Sequence, residues 1–146
     1  MKVVEGLTAM RVLLIGGDIA LLEGLAQAFA AQGYAPRVVA TLHEAREAAT
    51  DTSIPPLLAV VERGLATGTG ADVLAIPLLA GGAFMLYRVR AEDDLPVPPA
   101  VQRAVLADLT LPLERNRLLA LAQHVSDRAI ATGRSGRRTP PEQRAI

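Results

Sequence analysis

The sequence contains no cysteine and no tryptophan, and it has only two tyrosines and two phenylalanines among its 146 residues. Without cysteine the chain has no thiol nucleophile, no cysteine zinc site and no disulfide scaffold, which suits a reducing compartment. It also lacks any apolar run near the roughly 20 residues that a membrane helix needs. Residues 1–10 do not have the form of a signal peptide. We therefore expect a cytoplasmic protein that has no membrane partner.

The chain does have a high apolar fraction, 51%, together with 21% charged residues. This length suits one domain of about 100–150 residues, whose core needs no metal or disulfide for stability. The formal net charge is zero, but residues 128–146 hold five arginines against one glutamate. Their glycine, serine and proline content favours a solvated linker over a nucleic-acid-binding arm. We predict a leader over 1–10, a domain over 11–131 and a flexible basic tail over 132–146.

Strand and helix patterns alternate along the predicted domain. The predicted strands are 11–15, 36–40, 57–61, 83–89 and 105–109. The predicted helices are 19–32, 41–50, a weak segment over 71–80, at most a turn or two over 100–104, and 112–131. Such alternation predicts an α/β fold of the flavodoxin-like, doubly wound type, with a five-stranded parallel sheet in the order 2-1-3-4-5. The helix after the fourth strand is expected to be shortened or absent.

Three segments carry a resemblance to a known family. They are R-V-L-L-I-G-G-D-I-A-L-L from residue 11, P-P-L-L-A-V-V-E-R-G-L-A-T-G-T-G from residue 55, and L-A-D-L-T-L-P-L-E-R-N-R-L from residue 106. In order and spacing, roughly residues 11–131 resemble the receiver domain of bacterial two-component response regulators. In that family a proline stands six residues before the phospho-accepting aspartate and a glycine stands eight residues after it. Here Pro56 and Gly70 keep both intervals around Glu62.

The resemblance also shows which receiver chemistry the chain has lost. In receivers two acids hold a divalent cation, and a hydroxyl residue and a lysine bind the phosphoryl oxygens. The corresponding positions here are Gly16 and Gly17 for the acids, Glu62 for the acceptor, Tyr87 for the hydroxyl residue and Leu111 for the lysine. A shift of one residue would bring Asp18 to the second acid position, which still leaves one acid. The resemblance therefore implies a degenerate receiver, or pseudo-receiver, that is not phosphorylated, is not an enzyme and uses no metal or cofactor.

Two functions remain open at this point. The first is a regulatory module that docks on a histidine kinase or another receiver domain, as an internal part of a hybrid histidine kinase. In that module Glu62 is either a mimic of a phosphorylated aspartate or a solvated acid at a strand end. The alternative is a sensor of an anionic second messenger such as a cyclic dinucleotide (c-di-GMP), because arginines follow the fourth strand. The residues of that hypothetical ligand site are Tyr87, Arg88, Arg90, Gln102, Arg103 and Arg115. An ordinary arginine-rich exposed face explains the same residues.

Other kinds of site find less support in the sequence. Gly16, Gly17 and Asp18 precede a helix as in a phosphate-binding turn. The fingerprint G-x-G-x-x-G is absent, which argues against a nicotinamide dehydrogenase. His43 and His124 have no cysteine or carboxylate cluster beside them, so neither is assigned a catalytic or metal-binding role.

Overall fold

The computed structural model describes residues 10–50, 56–67, 82–90 and 96–132. The predicted leader apart from Met10, the predicted helix over 71–80 and the predicted tail beyond Thr132 lie outside the described residues.

A five-stranded parallel sheet forms the centre of the protein. Its strands are β1 (Arg11–Ile15), β2 (Ala35–Val39), β3 (Leu58–Glu62), β4 (Ala83–Arg88) and β5 (Asp108–Thr110). They are arranged in the order β2-β1-β3-β4-β5, and each neighbouring pair is parallel. The predicted flavodoxin-like fold and its strand order are therefore confirmed.

Helices cover both faces of this sheet. They are α1 (Ile19–Ala31), α2 (Leu42–Thr50), α3 (Pro99–Ala104) and α4 (Arg115–Thr132), with a short 3₁₀ helix at Arg63–Ala66. The helix between β4 and β5 is α3, which has only six residues, as the sequence predicted. Within the described ranges, no helix is long and apolar enough to cross a membrane.

The core has two layers because successive strand residues point to opposite faces of a sheet. Leu14, Val60 and Met85 lie on one face, which packs against α1 and α4. Leu13 and Val61 lie on the other face, which packs against α2 and α3. Strands buried on both faces read as continuous apolar runs, which is why the sequence pattern located them.

Local features remove some of the outward-facing backbone donors at both edge strands of the sheet. Beside β2, the Glu44 carboxylate accepts a hydrogen bond from the Ala40 amide at 2.9 Å. The Ala35 amide donates to the Met10 carbonyl, toward β1. Successive amides of a strand point to opposite sides, so the amide of residue 36 would point away from the sheet. Residue 36 is a proline, which has no amide hydrogen to donate. In β5 the Glu114 carboxylate accepts the Thr110 amide at 2.7 Å. Few backbone donors are therefore left for another chain to extend the sheet.

The fifth strand differs from its prediction. It was predicted over 105–109, whereas β5 is Asp108–Thr110. Val105 ends α3 by donating its amide to the Val101 carbonyl, and Leu106 is 45% exposed. Residues 105–107 thus lead from α3 into the strand, and Leu106 and Ala107 already exchange backbone hydrogen bonds with β4. The strand proper includes Asp108, a polar residue stabilised by contacts that no local pattern reveals.

Candidate functional site

The positions singled out by the sequence converge at the carboxyl end of the sheet. Gly16 follows β1, Glu62 ends β3, and Tyr87 is the register partner of Glu62 in β4. Leu111 follows β5 and is fully buried. Open α/β sheets bind their ligands at this end, so these residues form the candidate site.

The Tyr87 side chain fills the space beneath the β1–α1 turn. It has 0% relative exposure, and its hydroxyl has no hydrogen-bond partner within the described part of the chain. A Cβ atom built on Gly16 would lie 2.0 Å from the Tyr87 hydroxyl oxygen and 3.1 Å from Oε1 of Glu62. Only glycine fits at position 16 while the tyrosine occupies this place.

Glu62 reaches across to the same turn. Its Oε1 accepts a hydrogen bond from the Gly17 amide at 2.8 Å, which ties the end of β3 to the segment between β1 and α1. Asp18 has a different task, because its Oδ1 accepts the Leu21 amide at 3.1 Å and caps the first turn of α1. In this structure both carboxylates make contacts with backbone amides.

The electrostatic environment keeps the Tyr87 phenol neutral. Burial raises the pKa of the Tyr87 hydroxyl well above its usual value of 10, and the negative charges of Glu62 and Asp18 raise it further. Burial also raises the pKa of Tyr34, the other tyrosine of the chain, and the nearby Asp127 charge adds to the increase.

The opposite face of the same sheet end carries an ionic cluster. Arg63, which is only 7% exposed, donates from Nη1 to Oδ2 of Asp108. The Nη1 atom of Arg88 lies 3.6 Å from Oδ1 of the same carboxylate. Arg63 and Asp108 were not among the residues singled out in the sequence, because nothing local pairs residues that lie 45 positions apart. The only available signal was a lone aspartate in the apolar run before Pro112.

Comparison with solved structures decides which fold this is. The chain is similar to a CheY-like response regulator receiver domain from Methylobacillus flagellatus, with a TM-score of 0.64, 15% identity, and coverage of 81% of this chain and 99% of that one. It is also similar to a two-component response regulator from Clostridium difficile, with a TM-score of 0.66, 19% identity, and coverage of 82% and 97%. The chain has the receiver-domain fold.

A third similar structure belongs to a longer protein. It is the N-terminal domain of a response regulator/sensory box/GGDEF three-domain protein from Carboxydothermus hydrogenoformans, with a TM-score of 0.68, 14% identity, and coverage of 84% of this chain and 98% of that domain. No family model matches this sequence, and no curated protein matches it either. The receiver fold therefore rests on the structure rather than on sequence similarity.

The residues present do not fit the divalent cation that receivers hold at this place. Gly16 and Gly17 supply no side chain, and an acid at position 16 would collide with the Tyr87 hydroxyl. Across the described ranges, no group of three or more histidine, aspartate or glutamate side chains is arranged to hold a metal ion. The end of the receiver fold that would bind the cation is filled by a packed tyrosine.

The residues of the hypothetical second-messenger site do not share one surface. Tyr87 is buried on the face that packs against α1, whereas Arg88 contacts Asp108 on the opposite face. The remaining members are exposed, namely Arg90, Gln102, Arg103 and Arg115. The acidic connection over 91–95 lies outside the described residues.

The close approach of Tyr87 to Gly16 predicts a strongly non-additive pair of substitutions. Gly16→Ala is expected to lower the free energy of unfolding by about 1–3 kcal/mol, because its new methyl group overpacks the site. Tyr87→Phe alone is expected to be nearly neutral, since the lost hydroxyl makes no hydrogen bond. In the double variant the alanine should lower the free energy of unfolding by less. Without the hydroxyl, the nearest ring atom, Cζ, would lie 3.1 Å from the new Cβ instead of the 2.0 Å of the hydroxyl oxygen. Urea unfolding of the four proteins measures this coupling.

Gly17→Ala is the matched control for that cycle, because its Cβ would meet Glu62 at an ordinary 3.8 Å. It should cost much less than Gly16→Ala and should show no coupling to Tyr87→Phe. Equal losses at the two glycines, or additive effects at position 16, would contradict the proposed contact.

The two raised phenol pKa values predict an unusual alkaline titration. At pH 10 an unfolded chain has both tyrosines about half ionised, whereas the folded protein should show less tyrosinate absorbance because both phenol pKa values are raised. Because the folded pKa values lie above the unfolded ones, their contribution to stability is complete below pH 10 and declines as the pH rises further. Ultraviolet difference spectra from pH 8 to 12 measure the titration. If Tyr87→Phe removed a tyrosinate signal that titrates near pH 10 in the folded protein, Tyr87 would not be buried as described.

Proposed function

We propose that the chain is a pseudo-receiver, a module of two-component signal transduction that docks on a histidine kinase or another receiver domain without being phosphorylated. The observation that carries the proposal is the Tyr87 hydroxyl, which lies where an acid side chain at position 16 would have to stand. The receiver fold supports the signalling context, and the altered end of the sheet supports independence from phosphorylation.

The loss of phosphoryl chemistry follows from the charges at the site. Phosphoryl transfer needs cations that neutralise the charge on the transferring group. The position of the receiver lysine holds Leu111, which is fully buried in the core, and the cation site does not fit. The acceptor position holds Glu62, whose carboxylate already accepts the Gly17 amide. A phosphoryl group at Glu62 would add negative charge near Asp18, without the lysine and the acid pair that receivers use to offset it.

Exposed apolar residues around the carboxyl end of the sheet support a docking role. Ile19 begins α1, Val89 follows β4 and Leu113 follows β5, and their relative exposures are 42%, 41% and 83%. We call these three residues the apolar rim. Because Pro36, Glu44 and Glu114 remove backbone donors at the two sheet edges, a partner is expected to contact this rim and the adjoining helices rather than to extend the sheet.

The domain context forms part of the same proposal. The similar structure from Carboxydothermus hydrogenoformans is the N-terminal domain of a three-domain protein, so receiver folds occur as parts of longer chains. We propose that this module likewise acts inside or beside a cytoplasmic histidine kinase. Its own role is regulatory rather than enzymatic.

The absence of phosphorylation is tested by titrating the protein with Mg²⁺ and beryllofluoride and recording amide NMR spectra. The spectrum of the wild-type protein is expected to stay unchanged. A receiver with an intact acid pair, run in parallel, is the positive control. Saturable, magnesium-dependent shifts at Gly17 and Glu62 would overturn the proposal. Shifts caused by c-di-GMP at Gln102, Arg103 and Arg115 would instead support the second-messenger sensor.

Docking is tested by replacing one residue of the apolar rim. Leu113→Asp is expected to weaken binding to a histidine kinase core at least tenfold, because a charge replaces the most exposed apolar side chain of the rim. Leu106→Asp is the matched control, since Leu106 is 45% exposed but precedes β5 at the other end of the sheet. Calorimetry with kinase cores and receiver domains from the same cell measures both. Equal effects of the two variants would show that the rim is not the docking surface.

A further inference from the structure

Consecutive residues at the ends of β3 and β4 reach to opposite faces of the sheet. Glu62 and Tyr87 lie on the face that packs against α1 and α4, because they continue the alternation of Val60 and Met85. Arg63 and Arg88 contact Asp108 on the face that packs against α2 and α3.

The contacts on the α1 side join three strands. The Glu62 carboxylate accepts the Gly17 amide at 2.8 Å, and the Tyr87 ring packs directly beneath Gly16. The ends of β3 and β4 are thereby attached to the turn that follows β1. The Tyr87 ring and the hydrogen bond from Gly17 to Glu62 join these strand ends without a bound cation.

The contacts on the other side join the same two strands to β5. The Arg63 guanidinium is buried and donates to Asp108, and Arg88 approaches the other oxygen of that carboxylate at 3.6 Å. Immediately beyond, Leu111 donates its amide to the Arg88 carbonyl at 2.8 Å. Because the Arg63 side chain is nearly buried and Asp108 partly so, removing either one would leave a poorly solvated charge. The contact therefore holds the ends of β3 and β5 together, and Arg88 adds the end of β4.

We infer that these five residues form an internal brace that holds the end of β4 in a single position. The brace consists of Glu62, Arg63, Tyr87, Arg88 and Asp108. The segment Arg88–Arg90 follows Tyr87 directly and carries Val89 of the apolar rim, so the brace also fixes that part of the docking surface. This inference rests on the proposed function and specifies its regulation: the module presents one constant surface to its partner.

Tyr87 is the member of the brace whose removal should have the clearest effect. Its ring is fully buried in a close-packed site, and movement of the β4 end would require this ring to leave contacts that water cannot replace. Because the hydroxyl has no hydrogen-bond partner in the described chain, the ring rather than the hydroxyl supplies the constraint. Phenylalanine at position 87 should therefore hold the end of β4 as well as tyrosine does, whereas alanine should not.

Amide hydrogen exchange measured by NMR on the full chain tests the brace at three defined hydrogen bonds. Gly17 to Glu62 and Leu111 to Arg88 report the carboxyl end, and Leu57 to Arg11, at 2.7 Å, reports the amino end. Tyr87→Ala should raise exchange at Gly17 and Leu111 at least tenfold more than at Leu57. Tyr87→Phe should leave the exchange rates of all three amides as they are in the wild-type protein.

Met85→Ala is the matched control, because Met85 is also fully buried on the same strand and face but lies two residues nearer the amino end. It should raise exchange at all three amides alike by lowering overall stability. If Tyr87→Ala does not fold, Tyr87→Leu provides the same comparison with a smaller cavity. The brace is refuted if the tyrosine variants raise exchange uniformly, as Met85→Ala does, or if Tyr87→Phe loosens the carboxyl end. Magnesium-dependent phosphorylation of the wild-type protein would instead refute the proposed function, whatever the exchange rates are.

Discussion

The close approach of the Tyr87 hydroxyl to Gly16 limits what the carboxyl end of this sheet can hold. With this hydroxyl in place, a side chain at position 16 would begin 2.0 Å from its oxygen atom, so this position cannot contribute an acid to a cation site. A bound divalent cation would offset the negative charge of a phosphoryl group beside Glu62 and Asp18, and position 16 supplies no ligand for it. The buried Leu111 and the hydrogen bond from Gly17 to Glu62 are consistent with that one steric fact.

In the proposed pseudo-receiver, packing and ionic contacts take the place of phosphoryl chemistry at this end of the fold. Two adjacent acids with no bound cation would repel one another, whereas a glycine and a buried aromatic ring carry no such cost. The alternation of side chains in β3 and β4 then lets neighbouring residues serve both faces. Glu62 binds the turn after β1 on one face, and Arg63 binds Asp108 on the other. Under the proposed function, these contacts hold the carboxyl end of the sheet in one position.

The fold could be predicted from local patterns, and the altered site only in part. Buried strands appear as continuous apolar runs, and Thr41 with Glu44 marks the start of α2, where Oγ1 of Thr41 accepts the Glu44 amide at 3.1 Å. The strand order followed from the alternation of strands and helices. The Arg63–Asp108 contact and the depth of Tyr87 could not be predicted, because they depend on strands being brought together and on the space that a neighbouring glycine leaves. The bounds of β5 were wrong because the apolar run begins at Val105, which in the structure ends α3.

The central claim is that Tyr87 itself closes the phosphoryl site of this receiver fold. The most direct test rebuilds the receiver positions with Gly16→Asp, Gly17→Asp, Glu62→Asp and Leu111→Lys, once with Tyr87 retained and once with Tyr87→Thr added. Fluorine NMR in the presence of Mg²⁺ detects bound beryllofluoride in each folded variant. The account predicts a bound signal only when the tyrosine has been replaced. A bound signal of equal strength with Tyr87 retained would contradict it.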